Sequence, residues 1–168
     1  MSFSGQSECW VPCYCTVAEK LLQMKQFKAV IFGCEGLRLS PAESEFFSKT
    51  KPVGFILFSR NCGDPNQLKE LVRSLRGAIN NEYAPILIDQ EGGRVTRIGP
   101  PHWRLPPPAK VFSDLAMVDI DLACEALNLN IRLIGKELRE LGINVNCLPV
   151  LDTLFDDTDA IISDRADG

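Results

Sequence analysis

Asp89-Gln90-Glu91-Gly92-Gly93-Arg94-Val95-Thr96-Arg97 sets acidic and basic side chains on both sides of a glycine pair, directly after the apolar run Pro85-Ile86-Leu87-Ile88. A carboxylate accepts hydrogen bonds from neighbouring hydroxyls, and a guanidinium offers a fixed fork of donors. Gly92 and Gly93 open backbone conformations closed to other residues. The stretch is a poor packing element and a good polar site, able to aim Asp89 and Arg97 at one small polar ligand. The competing reading is that the two side chains only pair with each other and brace the loop. Glu91 and Arg94 read as loop scaffolding.

Elements on either side must hold this stretch in place. Lys28-Ala29-Val30-Ile31-Phe32, closed by Gly33, reads as a buried strand. Ser40-Pro41-Ala42-Glu43 has a capping serine, proline at the first helical position and glutamate three on, so a short helix follows through Lys49. Gly54-Phe55-Ile56-Leu57-Phe58 reads as a second buried strand ending in Ser59-Arg60-Asn61. Asp64-Pro65 opens a second helix whose Leu68, Leu71, Val72, Leu75 and Ile79 share one face. Residues 85–89 form the third strand. A long loop follows, with prolines at 100, 101, 106, 107 and 108; His102 and Trp103 within it are expected to pack the loop rather than touch a ligand. A third helix is expected from about 119 to 141, with Leu122, Leu129, Leu133 and Leu138 on one side and Gly142 as its stop. Residues 143–152 give the fourth strand and its exit at Asp152.

Continuous apolar strands alternating with amphipathic helices indicate parallel βα units. A doubly wound sheet and a (β/α) barrel both fit. Both place ligands at the carboxyl ends of the strands, where Ser59-Arg60-Asn61, residues 89–97 and Asp152 fall. No glycine-rich phosphate loop is present, so a nucleotide has no anchor.

The chain has 168 residues, 45% of them hydrophobic and 24% charged, enough for one ordinary core. A net charge of −4 and a pI near 5.1 argue against nucleic acid as a partner. No run approaches the roughly 18 apolar residues of a membrane span, and the first twenty residues lack the pattern of a signal peptide. Seven cysteines, an odd number, read as reduced thiols, which favours the cytoplasm. Cys34, Cys124 and Cys147 sit in apolar patterns as small hydrophobes. Cys9, Cys13 and Cys15 lie close together, but no histidine or second close-spaced pair completes a metal site. Residues 1–24 read as an irregular lead-in, and Met24 is itself a candidate start.

Gly54-Phe55-Ile56-Leu57-Phe58-Ser59-Arg60-Asn61, Asp89-Gln90-Glu91-Gly92-Gly93-Arg94-Val95 and the run from Leu141 to Asp152, Leu-Gly-Ile-Asn-Val-Asn-Cys-Leu-Pro-Val-Leu-Asp, resemble glycoside hydrolase family 3. Within it they are similar to the cytosolic β-N-acetylglucosaminidases (β-hexosaminidases) of bacterial cell-wall recycling. Gly99-Pro100-Pro101-His102-Trp103 and Asp164-Arg165-Ala166 strengthen the likeness, which covers about residues 25–168. The resemblance implies a TIM-type (β/α) barrel, of which this chain supplies about the first four βα units. It implies removal of terminal β-linked N-acetylglucosamine from muropeptide fragments, with no metal or organic cofactor.

Residue by residue, the resemblance makes Asp89 the carboxylate that accepts hydrogen bonds from sugar hydroxyls. Arg97 becomes the arginine that holds the same ring from its side, and Arg165 a third sugar-binding arginine. Ser163 and Asp167 depart from the family's usual glycine and aromatic, and Asp167 beside Arg165 would compete for its guanidinium. A retaining glycosidase also needs a nucleophilic carboxylate and a general acid/base flanking the scissile bond. In these relatives both lie beyond the position matching Gly168, the acid/base being a histidine on a loop. His102, the only histidine here, belongs to another motif. No residue of this chain is therefore expected to be catalytic, and it reads as the sugar-binding half of such an enzyme. The alternatives are a non-catalytic sugar-binding half-barrel and an inert remnant. A half-barrel exposes strand edges, so self-association or poor solubility is expected.

Overall fold

The computed structural model of the chain describes residues 26–150. They form β1 (Lys28–Phe32), α1 (Pro41–Thr50), β2 (Pro52–Leu57), a 3-10 turn (Ser59–Asn61), α2 (Pro65–Ala78), β3 (Ile86–Ile88), α3 (Ala109–Ala116), α4 (Ile120–Glu140) and β4 (Val145–Asn146). The four strands are parallel and lie in the order β1-β2-β3-β4. Each new strand is added to the same edge, whereas a doubly wound sheet reverses direction at a switch point. The described residues are thus a four-stranded arc of a TIM-type barrel, which settles the choice that periodicity left open.

The first two helices form for local reasons. Ser40 Oγ accepts from the Glu43 N–H at 3.2 Å, and the Glu43 carboxylate accepts from the Ser40 N–H at 2.9 Å, closing the capping box ahead of Pro41. Asp64 caps α2 by accepting from the N–H groups of Asn66 and Gln67. Leu68, Leu71, Val72, Leu75 and Ile79 are all buried against the sheet. Burying a side chain of this size stabilises by about 1.5–3 kcal/mol relative to leaving it in water.

Strand alternation sorts the sheet residues into two faces. Phe55, Leu57, Ile86 and Ile88 are fully buried in the core that the helices share. The opposite face carries the register row Ile56–Leu87–Val145, with Ile31 nearby, and this face remains partly open.

Four expectations differ from what is observed. β1 is not buried: Lys28, Ala29 and Ile31 are exposed, because among the described strands β1 pairs only with β2. The proline-rich loop contains a helix, α3, which starts straight after Pro108 and carries a Lys110–Asp114 ion pair at 2.7 Å. α4 buries a different face: Ala123, Asn130, Ile134 and Leu138 point inward, while Leu122, Leu129 and Leu133 are exposed. A polar residue holds the middle of that seam because Arg104 occupies it, donating to the Asn130 side chain at 2.8 Å and to its carbonyl at 3.0 Å. Cys124, on the outer side of α4, is exposed rather than a small core residue.

Candidate functional site

The carboxyl ends of the strands converge on one polar surface. β1 is followed by Gly33, where an added Cβ would meet Arg60 Nη2 at 3.3 Å, so the missing side chain leaves room for an arginine from the β2 end. Arg60 Nε donates to the Cys34 carbonyl at 3.1 Å, and its guanidinium lies over the Phe58 ring, 4.7 Å from the centroid. The buried Asn61 side chain donates to the carbonyls of Cys34 and Gly36 and accepts from the Phe58 N–H. One amide thus ties the β1 exit to the β2 exit.

Asp89 follows β3, and Arg97, eight positions further along the chain, returns to it with Nη2 2.9 Å from Asp89 Oδ2. Both side chains are about a quarter exposed, at 22% and 26%. The pair therefore faces solvent along one edge, and this contact uses one of the five N–H donors of the guanidinium. Arg97 also approaches the Phe58 ring, at 5.9 Å from the centroid. Between the two residues the chain turns through Gly92 at φ +110° and Gly93 at φ +57°, and Gly92 and Val95 form an antiparallel bridge. The Gly93 N–H donates to the Pro106 carbonyl, which fastens the tip to the proline segment.

Several neighbours went unread in the sequence. Gln90 is fully buried; its side chain accepts from the Arg97 and Ile98 N–H groups and donates to the Ile98 carbonyl. Asn144 and Asn146, alternating along the β4 segment, reach across to β3: Asn144 Oδ1 accepts from the Ile86 N–H, and Asn146 exchanges two hydrogen bonds with the Gln90 backbone. Asparagine at a period of two beside an apolar strand was the available signal. Cys147 stands next to Asp89, and burial, then the nearby carboxylate with its hydrogen bond, push its thiol pKa up. At neutral pH Cys147 is thus a protonated thiol beside Asp89.

Asp89 and Arg97 are therefore brought together, while Arg165 and Asp152 lie outside the described residues. The Glu91 N–H donates to the Val95 carbonyl within the loop, and Arg94 is exposed. The exposed His102 ring meets Trp103 edge-on at 5.7 Å, and Trp103 packs on the core. Among the described residues no group of three or more His, Cys, Asp or Glu is placed to hold a metal ion.

Comparison with known proteins places this sequentially wound parallel sheet in a family. The family model for the glycosyl hydrolase family 3 N-terminal domain matches residues 16–167. The chain belongs to glycosyl hydrolase family 3. Among its relatives, a beta-hexosaminidase of Alkalilimnicola ehrlichii is 37% identical over 139 residues, covering 82% of this chain and 38% of the relative. One from Methylococcus capsulatus is 36% identical, covering 81% of this chain and 39% of its own. The chain thus spans about two fifths of the length of these curated relatives. NagZ from Neisseria gonorrhoeae, solved in complex with N-trifluoroacetyl-D-glucosamine, superposes with a TM-score of 0.77 at 28% identity, over 84% of this chain and 41% of that one. A family 3 beta-N-acetylglucosaminidase from a Paenibacillus strain gives 0.72 at 32% identity, over 88% and 27%. These matches fit the TIM-type winding seen in the family 3 chain described here.

Proposed function

We propose that this chain supplies the sugar-binding part of a family 3 β-N-acetylhexosaminidase, an enzyme that hydrolyses terminal non-reducing β-linked N-acetylglucosamine from peptidoglycan (muropeptide) fragments. The observation that carries the reading is the partly exposed Asp89–Arg97 pair at the carboxyl end of β3. Asp89 accepts hydrogen bonds from neighbouring sugar hydroxyls, and Arg97 donates to the same ring from the side; Arg165 is the third sugar-binding arginine in this reading. Names among the relatives support the substrate class, since they are called beta-hexosaminidases and one solved neighbour holds an N-acylated glucosamine derivative. In our reading the nucleophile and the general acid/base are not among these residues, so the chain binds sugar without cleaving it. The cytoplasm is the compartment we assign, supported by the free thiols Cys34, Cys62, Cys124 and Cys147. No helix among the described residues is long and apolar enough to cross a membrane. The open row Ile56–Leu87–Val145 supports self-association of the isolated chain; a monodisperse monomer in light scattering would overturn that part.

The test pairs binding with turnover on the purified chain. N-acetylglucosamine should bind, binding should be lost in Arg97→Ala, and nitrophenyl β-N-acetylglucosaminide should release no nitrophenol. Turnover abolished by Asp89→Ala would place the catalytic groups within this chain. Absence of binding would remove the sugar reading.

A further inference from the structure

We propose that Gln90 and Asn146 are positioning residues that set Arg97 against Asp89; for sugar recognition, the consequence rests on the reading given above. Asp89 and Arg97 stand at opposite ends of a loop whose tip contacts, Gly92 with Val95 and Gly93 with Pro106, do not join those ends. The join is made by Gln90. Its Oε1 accepts from the Arg97 N–H at 2.9 Å and the Ile98 N–H at 3.1 Å, and its Nε2 donates to the Ile98 carbonyl at 2.8 Å. The side chain of the residue directly after Asp89 therefore holds the backbone of Arg97 itself. From the other side, Asn146 Oδ1 accepts from the Gln90 N–H at 3.0 Å and Asn146 Nδ2 donates to the Gln90 carbonyl at 3.0 Å. Gln90 is thus fixed to β4 by its main chain and to the returning loop by its side chain.

The chemistry requires an amide at this position. Two N–H groups need an acceptor and one carbonyl needs a donor, and the site is fully closed to water. A carboxylate would turn an oxygen towards the Ile98 carbonyl, and an aliphatic side chain would leave all three groups unpaired, which is costly in a dry site. The Asp89–Arg97 contact is itself partly solvated and cannot hold the loop ends by its own strength. What it recognises is therefore set by the buried amides behind it.

The experiment uses the full 168-residue chain with Gln90→Glu and, at the half-buried partner, Asn146→Asp, which keeps the acceptor and loses the donor. Two readouts separate positioning from mere support. In the unsubstituted chain, Asp89→Ala and Arg97→Ala should be non-additive in the unfolding equilibrium constant by about three-fold or more. In the Gln90→Glu or Asn146→Asp background they should become additive, and the Kd for N-acetylglucosamine should rise about ten-fold. If Gln90→Glu does not fold, Asn146→Asp carries the same comparison. Stability that falls while the coupling persists would overturn the proposal, and so would additivity in the unsubstituted chain. A chain that binds no sugar yet loses the coupling on substitution would overturn the sugar reading and uphold the positioning role.

Discussion

Gly92 lies with its Cα against the carbonyl oxygen of Pro107, at φ +110°, so that no Cβ fits between them. Gly93 follows at φ +57°, where an added Cβ would stand 2.7 Å from Pro108 Cβ. The glycine pair therefore lets the loop that carries Arg97 close onto the proline segment. Gly92→Ala combines a steric clash with a backbone conformation unfavourable to alanine, and it should cost about 1–3 kcal/mol of stability. N-acetylglucosamine affinity should fall with it, because the loop end bearing Arg97 moves. Denaturant unfolding and a sugar titration on the same variant check both effects; unchanged stability would contradict the close approach.

Arg97→Lys keeps the charge and gives up the planar fork and its approach to Phe58. A lysine ammonium is a point charge that cannot reproduce a guanidinium at a stacked, directional site. We expect Arg97→Lys to weaken N-acetylglucosamine binding nearly as much as Arg97→Ala, about ten-fold, or about 1.4 kcal/mol. Full binding by the lysine variant would mean that charge alone is what Arg97 supplies.

The thiols beneath the site make an alkaline prediction. Burial pushes the Cys62 thiol up from 9.0 to about 12, the nearby Cys34 adding to the rise and Arg97 opposing it. Burial, with Glu43 nearby, likewise pushes Cys34 up to about 11. Between about pH 9 and 12 the folded state therefore holds protons that the unfolded chain has released, so stability falls as pH rises. Cys62→Ala should flatten that fall in urea unfolding followed from pH 8.5 upwards, and an unchanged slope would show that Cys62 does not titrate on unfolding.

Glu43 makes the opposite prediction in acid. Burial alone would raise its pKa, but donation from the Ser40 and Glu35 N–H groups and the Ser40 hydroxyl holds the carboxyl below its ordinary 4.5. The capping box therefore contributes fully above that value and is lost as pH falls through the lowered one. Ser40→Ala should cost about 1 kcal/mol at neutral pH, with the difference from the unsubstituted chain narrowing in acid. Thermal unfolding at two pH values is sufficient to show it.

Two leucines test which helix faces are inside. Leu75 on α2 is fully buried, so Leu75→Ala should cost about 2–5 kcal/mol through lost burial and the cavity left behind. Leu129 on α4 is 59% exposed, and Leu129→Ala should change stability by no more than about 0.5 kcal/mol. A large loss at Leu129 would restore the face that hydrophobic spacing alone suggests.

What the sequence by itself determined was short-range. The Ser40–Glu43 box, the Asp64 cap, the inward face of α2 and the run ending at Asp89 depend on residues within a turn or two of one another, and all were legible from types and spacing. The pairing of Asp89 with Arg97 was legible only as one of two readings, since residue types and spacing allow the two side chains either to face a ligand or to brace the loop across its seven intervening residues. The winding of the sheet, the half-open state of β1, the inward face of α4 and the roles of Gln90, Asn146 and Cys147 were decided by tertiary structure. The reason is distance along the chain. Gln90 meets Asn146 across 56 residues and Arg104 meets Asn130 across 26, and a buried amide is intelligible only once both its partners are in place. Hydrophobic spacing marks the apolar side of a helix; it does not say that an arginine from a proline-rich loop will claim the middle of the buried seam.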